Sequence, residues 1–300
     1  MIDTCDSLGV PIAHDKTDGP STRLPFLGIL LDSVAQTISL PSGKHAEIVA
    51  VISAWLHRTS CSHTELQSLI GTLSWAAKCI PSGRLYIRRM IHLLMAHKAQ
   101  RGCIPLSRDF FLDLRWWETF LPLWNGSCSF ISPKWTASSV LHLFTDASST
   151  LGCGAFYDGR WFNVQWPPWL VMAKFSIEFL EIIPIYLSCL VWKDHFTNAR
   201  ISFECDNLGV VNAWNKLGSS SRAILHMIRL ITSVAAFSNF TIRIVHIPGA
   251  LNTIADALSR FQLDRFRLSA PFADLQPTPV PPFFDDLYVA GCSQGWISKN

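Results

Sequence analysis

Four carboxylate side chains in the second half of the chain have the type and spacing to form a metal centre: Asp146 in FTDAS, Glu181 in EIIPIYL, Asp206 in ECDN and Asp256 in ADALSR. Carboxylates that converge on one point repel one another and raise one another's pKa unless cations neutralise them. Two Mg²⁺ ions held between carboxylates and phosphate oxygens promote in-line phosphodiester cleavage. If the four side chains meet, they predict a two-Mg²⁺ centre in which Mn²⁺ can substitute.

The elements predicted around these residues would bring them together. Asp146 ends the strand VLHLFTDA and Asp206 follows the strand ARISFEC, and groups at the carboxyl ends of strands converge on a ligand-binding crevice. Glu181 lies on a predicted amphipathic helix, within a stretch that is otherwise apolar and should face the sheet. Asp256 lies one turn into the helix NTIADALSR, for which Asn252 is the predicted N-cap. Four carboxylates from four elements are therefore expected at one point.

Three of these interpretations have alternatives. His246 ends the strand FTIRIVH before a Pro-Gly turn, where it could transfer protons or help to release product, or simply be hydrogen-bonded at the strand end. Asp256 could serve only to complement the dipole of its helix. Glu178, three residues before Glu181, shares nearly the same helical face and could be the metal-binding glutamate instead.

The order of predicted elements from residue 140 onward indicates the fold class. Three strands come first, the second and third joined at Asp158-Gly159, which is a strong hairpin signal. A helix containing Pro184, a strand, two helices, a strand and a last helix follow. This order predicts an α/β fold with a mixed sheet, three antiparallel strands and then parallel strands, flanked by helices.

These motifs, in this order, resemble the ribonuclease H domain of retroelements over residues 140–260, and IPIYL after Glu181 fits that family's helix. Ser148 and Asn207, which closely follow two of the aspartates, are further candidates for contact with nucleic acid. The resemblance implies metal ligands at Asp146, Glu181, Asp206 and Asp256, a catalytic histidine at His246, and contact with an RNA–DNA hybrid at Asn252.

The first block of the chain also resembles retroelement proteins. FLGILLD is similar to the Phe-Leu-Gly segment near the primer grip of their reverse transcriptases. The sequences of the following helices and of the C-terminal tail are most similar to those of DIRS-type elements, which carry a tyrosine recombinase. Nothing resembles the polymerase's Asp-Asp hairpin or its fingers, so the chain is not expected to polymerise DNA by itself. The implied domains are the end of a palm (1–40, two strands joined near Ser33), a mainly helical thumb/connection-like region with a linker (41–135), the ribonuclease H domain (136–262) and a proline-rich, extended C-terminal tail (263–300).

Aromatic and basic residues outside the motifs have weaker functional interpretations. Arg84, Arg88 and Arg89 in GRLYIRRM would form a basic helical face that either grips phosphates or is simply solvated. The tryptophan-rich segments RWWETF and QWPPWL could stack on bases, but they are more typical of core packing.

Composition excludes few functions. The formal net charge is +3, so nucleic-acid contact must come from local patches. The nine cysteines form no C-x-x-C pair, which favours a reducing compartment, cytoplasmic or nuclear. The N-terminus has no signal-peptide pattern and no apolar stretch is long enough to span a membrane, so no membrane partner is expected.

The sequence thus predicts a metal-dependent endonuclease that hydrolyses the RNA strand of RNA–DNA hybrids. Its expected partners are the hybrid, the remaining reverse transcriptase parts and a tyrosine recombinase of the same element. The alternative is a non-catalytic nucleic-acid-binding or scaffold fragment derived from a retroelement. A third possibility, a polynucleotidyl transferase acting on DNA, would share the carboxylates but not the ending His-x-Pro-Gly-x-x-Asn-x-x-x-Asp, residues 246–256.

Overall fold

The computed structural model describes residues 2–13, 19–98, 102–129 and 140–297. The chain divides into two compact units, residues 1–132 and 133–300. The division falls within the predicted linker, residues 125–135, of which residues 130–135 lie outside the described part.

The first unit combines helices with short strands. The strands form a four-stranded sheet in the order β1-β2-β3-β6 and a separate two-stranded sheet of β4 and β5. Short 3₁₀ turns cover Pro81–Tyr86 and Leu121–Leu123. The helices are α1 (Ile2–Ser7), α2 (Ser42–Leu56), α3 (His63–Ala76), α4 (Arg88–Ala96) and α5 (Arg108–Phe120), and the strands are β1 (Arg23–Phe26), β2 (Ile29–Asp32), β3 (Thr37–Ser39), β4 (Ser60–Cys61), β5 (Ile104–Pro105) and β6 (Ser127–Ser129).

The prediction of two strands joined near Ser33 was incomplete, because the chain turns once more within FLGILLD. Leu27 and Gly28 both have positive φ, 50° and 78°, which is the geometry of a two-residue hairpin turn. Phe26 therefore pairs with Ile29, and the predicted first strand is a hairpin of β1 and β2. Glycine suits this turn because it adopts positive φ without steric cost.

The prediction of one continuous basic helical face was wrong. Arg84 lies in a 3₁₀ turn and Arg88 begins α4, so the two residues do not share one helix. Arg89 instead donates hydrogen bonds from its backbone N–H (3.2 Å) and its guanidinium (3.3 Å) to the fully buried carboxylate of Asp113. Arg89 thus has a structural role in joining α4 to α5, whereas Arg84 and Arg88 are exposed.

The second unit contains the mixed sheet that the sequence predicts. The sheet order is β11-β10-β7-β8-β9, with β8 antiparallel to both β7 and β9, and β10 parallel to both β7 and β11. The predicted fold class is confirmed. The strands are β7 (Val140–Ala147), β8 (Gly152–Tyr157), β9 (Arg160–Gln165), β10 (Arg200–Cys205) and β11 (Thr241–His246), and the helices are α6 (Pro168–Met172), α7 (Ile177–Val191), α8 (Lys193–Phe196), α9 (Leu208–Asn215), α10 (Arg222–Phe237), α11 (Thr253–Ser259), α12 (Leu263–Ser269) and α13 (Phe284–Gln294).

Helices cover both faces of this sheet. Helix α7 packs on β7 and β8 and is itself covered by α10, and it continues through Pro184 from Ile177 to Val191. Helix α11 packs on β7 and β8 from the other side. The helix can approach β8 closely because residue 154 is a glycine. A Cβ at Gly154 would collide with Leu258 of α11. The carboxyl ends of β7 and β10 therefore lie between two helices that each carry one of the candidate carboxylates.

The C-terminal tail is not the free linker that its composition predicts. Residues 270–283 have no regular helix or strand, as expected, but they are hydrogen-bonded to β9. The indole N–H of Trp161 donates to the Asp274 carbonyl (2.7 Å), and the Thr278 N–H donates to the Trp161 carbonyl (2.7 Å). Phe266 of α12 is fully buried, 4.9 Å from the Trp161 ring between centroids. The tail is thus part of the hydrophobic core of the second unit.

This packing predicts a large stability difference between two phenylalanines of the tail. Phe266→Ala should lower the free energy of unfolding by about 3 kcal/mol, because it leaves a cavity in the core. Phe272→Ala, the matched control, removes a ring that is 74% exposed and should cost much less. Urea unfolding of the full chain measures both, and equal losses would contradict the structural role assigned to Phe266.

None of the helices in the described part of the chain combines the length and the apolar character needed to cross a lipid bilayer.

Candidate active site

Asp146 and Asp206 lie at the carboxyl ends of neighbouring parallel strands. Phe144 of β7 and Glu204 of β10 form the last pair of the ladder, and each aspartate follows that pair by two residues. Residues two apart point to the same face, and neighbouring strands lie about 4.8 Å apart. The charge of Asp206 accordingly raises the pKa of Asp146. Two of the four predicted carboxylates thus meet at the carboxyl edge of the sheet.

Glu181 reaches this edge from α7. Its carboxyl group, the Cys205 thiol and the Asp206 carboxyl each offer a ligand atom, and the three atoms lie within 4.8 Å of one another. Glu181 is only 4% exposed, and burial, followed by the charges of Asp146 and Asp206, raises its pKa well above the ordinary value. The Ala147 N–H donates to the carboxyl group, yet Glu181 Oε2 finds no hydrogen-bond partner among the described residues. A buried, unpartnered carboxyl oxygen is an acceptor that a cation would satisfy.

Asp146 is held by α11. The Ser259 hydroxyl lies in short hydrogen-bond contact with Asp146 Oδ2 and 3.0 Å from the Asp256 carbonyl oxygen. The Ser259 hydroxyl donates its proton to Asp146 Oδ2, so it favours the charged form of the aspartate. Burial raises the pKa of Asp146 to about 6, although the Ser259 hydrogen bond acts in the opposite direction. Without a cation, Asp146 therefore holds its proton more tightly than an ordinary aspartate.

Asp256 is close to the other carboxylates, since its charge raises the pKa of both Asp146 and Glu181. However, its own oxygens are engaged: Arg260 Nε donates to one at 2.6 Å and the Arg265 guanidinium to the other at 2.5 Å. Burial alone would raise the pKa of Asp256, but these two arginines outweigh it and lower the pKa. The two arginines therefore compete with a cation for the Asp256 carboxylate.

Asn252 occupies the N-cap position of α11, as predicted, but its side chain makes no capping hydrogen bond. Its amide nitrogen instead donates to the Thr145 carbonyl of β7 at 2.9 Å, and the side chain is buried. This bond ties the start of α11 to the strand that carries Asp146. Asn252 thus positions Asp256 relative to Asp146.

The other predicted site residues lie around the cluster in different roles. His246 is exposed at the end of β11, level with Cys205 of β10. The Ser148 hydroxyl accepts the Leu151 N–H (3.2 Å) in the turn between β7 and β8, and Asn207 Oδ1 accepts the Gly209 N–H (2.9 Å) at the start of α9. Contact of Ser148, Asn207 and Asn252 with nucleic acid stays a prediction. Arg84, Arg88 and Arg89 belong to the first unit.

The alternative glutamate, Glu178, lies elsewhere. Its carboxyl group packs against Gly209 of α9, where a Cβ would collide with it. Gly249 similarly packs against the Asp206 carboxylate, since a Cβ on Gly249 would lie 3.0 Å from Asp206 Oδ2. The Pro-Gly turn after His246 thus lies against Asp206, and the structure places Glu181, not Glu178, beside that aspartate.

Sequence reasoning missed four residues of this site: Cys205, Ser259, Arg260 and Arg265. Two of them had a signal, since Ser259 and Arg260 lie three and four residues after Asp256 on the same helix, where side chains meet. Cys205 directly precedes Asp206 in the quoted motif, but alone it is typical of a buried strand residue. Arg265 lies on the next helix, beyond the reach of any local pattern.

The donor set fits hard divalent cations. Asp146, Glu181 and Asp206 offer carboxylate oxygens at one edge of the sheet, and such oxygens are the ligands that Mg²⁺ and Mn²⁺ prefer. The acidic cluster is therefore chemically suited to the predicted ions.

The raised pKa of Asp146 predicts a pH dependence of stability in the metal-free protein. Its ordinary value is 3.8 and its folded value about 6, so the folded state binds this proton more tightly than the unfolded state. The associated stability is complete below pH 3.8 and is lost as pH rises through about 6, a loss of about 3 kcal/mol. Urea unfolding in EDTA should show that Asp146→Asn flattens this decline, whereas Asp158→Asn, at an exposed aspartate, leaves it unchanged. Parallel profiles for wild type and Asp146→Asn would contradict the assignment.

Comparisons with known proteins were made for the whole chain. No protein-family model matches it, and no curated protein matches it. Among solved structures it is similar to the ribonuclease H1 of the halophilic archaeon Halobacterium salinarum NRC-1, at 19% identity and a TM-score of 0.32, over 42% of this chain and 98% of that one. It is also similar to a foamy viral protease-reverse transcriptase in complex with an RNA/DNA hybrid, at 13% identity and a TM-score of 0.29, over 78% of this chain. The chain spans only 30% of the length of that viral protein. Because these TM-scores are low, the function proposed below rests on the carboxylate cluster.

Proposed function

We propose that residues 140–260 form a metal-dependent endonuclease that hydrolyses the RNA strand of RNA–DNA hybrids. The observation that carries the proposal is the convergence of Asp146, Glu181 and Asp206 at one edge of the sheet, with a buried Glu181 oxygen that has no partner in the described part of the chain. The sequence motifs around these residues support the same activity by their resemblance to retroelement ribonucleases H. Together they favour phosphodiester hydrolysis over other reactions of carboxylate sites.

The chain's own residues have distinct tasks in this reaction. Asp146, Glu181 and Asp206 would hold two Mg²⁺ or Mn²⁺ ions, which supply positive charge to the developing phosphoryl transition state when bound. Ser259 orients Asp146, and the Ala147 N–H orients Glu181. These bonds fix the carboxylates before substrate arrives, which lowers the cost of organising the site.

His246 is placed to exchange protons at the rim of the site. It is exposed at the end of β11, one strand away from Asp206 across the sheet, and the turn that follows it lies against Asp206. We propose that His246 passes a proton between solvent and the departing RNA oxygen. The resemblance implies products with a 5′-phosphate and a 3′-hydroxyl.

Recognition of the hybrid would depend on shape, phosphates and the RNA 2′-hydroxyl rather than on base sequence. Helix α10 contributes only Arg222 and Arg229 as fixed positive charges, and Arg229 is buried. We therefore propose that affinity for the hybrid depends on further reverse transcriptase parts, in an element of the DIRS type that also encodes a tyrosine recombinase.

The second candidate function is a non-catalytic nucleic-acid-binding or scaffold fragment. One observation favours it: the Asp256 carboxylate is engaged by both Arg260 and Arg265. These ion pairs neutralise the charge of the fourth predicted ligand and so weaken its attraction for a metal ion. The scaffold candidate predicts binding of the hybrid without turnover.

A substrate panel separates the candidates. The purified chain is incubated in Mg²⁺ with duplexes of one sequence, as RNA–DNA hybrid, RNA duplex and DNA duplex, each strand labelled in turn. We expect cleavage of the RNA strand of the hybrid alone. Cleavage of duplex DNA would instead indicate a polynucleotidyl transferase acting on DNA.

A further inference from the structure

Cys205 adds a sulfur donor to the carboxylate cluster. We propose that Glu181, Cys205 and Asp206 form a binding site for a thiophilic divalent cation, Zn²⁺ or Cd²⁺, that uses the Cys205 sulfur. Their ligand atoms lie within 4.8 Å of one another. The effect of such a cation on cleavage rests on the proposed function, but its binding does not.

The position of Cys205 in the sheet directs its thiol to Glu181. Cys205 is the last residue of β10, and side chains alternate along a strand, so it points to the face opposite that of Glu204. Helix α7 covers the Cys205 face and carries Glu181. The thiol is fully buried beside the carboxyl group and not exposed to solvent.

The separation of the three donors suits a single ion. Zinc binds thiolate sulfur at about 2.3 Å and carboxylate oxygen at about 2.0–2.2 Å, so two ligands of one ion lie at most about 4.5 Å apart. A few tenths of an ångström of movement would bring the cluster within that limit.

An independent observation also points to a ligand at this place. Glu181 Oε2 is buried and has no hydrogen-bond partner among the residues described. Leaving such an oxygen unsatisfied is costly, and a cation shared with Cys205 would satisfy it. The cluster is therefore more than a chance meeting of acidic side chains.

The donor types determine which cation is selected. Mg²⁺ takes oxygen ligands and does not use a thiolate, whereas Zn²⁺ and Cd²⁺ gain from sulfur. On binding, the Cys205 thiol loses its proton to the buffer while the sulfur forms its bond to the ion, so one thiol proton is released per ion bound. A thiophilic cation bound here would occupy ligands that the proposed Mg²⁺ site requires.

The test is a Cd²⁺ titration of the full chain, followed by the ultraviolet sulfur-to-cadmium charge-transfer band. All samples carry Cys103→Ser, because Cys103 is exposed and could bind the probe on its own. We expect a band that saturates at one ion, disappears in Cys205→Ala and persists in Cys189→Ala, an equally buried cysteine of α7 outside the cluster. A band of equal strength in Cys205→Ala would overturn the proposal.

A second variant covers the case in which Cys205→Ala does not fold. Glu181→Gln keeps the thiol but removes a charged oxygen donor, so the band should remain while the Cd²⁺ affinity falls at least about tenfold. Unchanged affinity in Glu181→Gln would also overturn the proposal.

A parallel assay of Mg²⁺-dependent hybrid cleavage keeps the two proposals apart. A Cys205-dependent band without any cleavage supports the thiophilic site and contradicts the nuclease. Cleavage without a Cys205-dependent band supports the nuclease and contradicts the thiophilic site.

Discussion

Asp146→Asn is expected to reduce Mg²⁺-dependent cleavage of an RNA–DNA hybrid at least about 100-fold. The substitution keeps the shape of the side chain and its contact with Ser259 but removes the negative charge near Asp206. Loss of a partner that only orients a metal ligand typically costs 10- to 100-fold, so loss of a ligand's charge should cost more. Asp206→Asn should behave in the same way. The measurement is the initial rate of RNA-strand cleavage at saturating hybrid.

Glu178→Gln is the matched control for this prediction. It also neutralises a carboxylate on the same unit, but that carboxylate packs against Gly209 rather than beside Asp206. Its cleavage rate should stay within the same order of magnitude as that of the wild type. If Glu178→Gln lost as much activity as Asp146→Asn, general loss of negative charge would explain the result and the metal-ligand assignment would fail.

Glu181→Gln is expected to abolish cleavage while making the metal-free protein more stable. Burial and the neighbouring carboxylates raise the pKa of Glu181, so in the wild type the folded state loses stability as pH rises above the ordinary value of 4.5. Glutamine has the same shape, accepts the Ala147 hydrogen bond and carries no charge to bury. We expect a gain of about 1–3 kcal/mol in the free energy of unfolding at pH 8 in EDTA.

The stability gain should depend on metal. Mg²⁺ binds the folded wild type and stabilises it by mass action, whereas Glu181→Gln lacks one ligand and should respond less. The difference between the two proteins should therefore shrink or reverse as Mg²⁺ is added. Urea unfolding with and without Mg²⁺ measures this, and a variant that is less stable than the wild type in EDTA would contradict the account of Glu181.

Much of the scaffold of this site follows from sequence pattern. The apolar patterns of β7 and β10 end next to Asp146 and Asp206, so the sequence predicts both aspartates at the carboxyl ends of their strands. The apolar character of α7 similarly predicts that Glu181 faces the sheet, and it does. The sheet order then places the three carboxylates at one edge.

The remaining features depend on contacts between distant parts of the chain. Asn252 is at the predicted N-cap position, but its side chain donates to the carbonyl of Thr145, 107 positions away. Arg265 reaches Asp256 only because the chain turns at Phe261, which has a positive φ of 58°. Local periodicity cannot specify either contact.

The prediction that the C-terminal tail is a free linker was wrong for a similar reason. Proline-rich composition indicates irregular backbone correctly, but it says nothing about what that backbone contacts. The Trp161 indole N–H donates to the Asp274 carbonyl, and the Thr278 N–H donates to the Trp161 carbonyl. Both bonds join residues that are far apart in the chain, so no local pattern predicts them.

The central claim is tested most directly by cleavage under conditions in which binding is independently shown. The full chain is first titrated into an RNA–DNA hybrid in EDTA until the hybrid is bound, and Mg²⁺ is then added while the labelled RNA strand is followed. We predict that the RNA strand is cut, leaving 5′-phosphates, and that the DNA strand stays intact. A hybrid that remains bound and uncut in Mg²⁺ would contradict the nuclease and leave the scaffold function in its place.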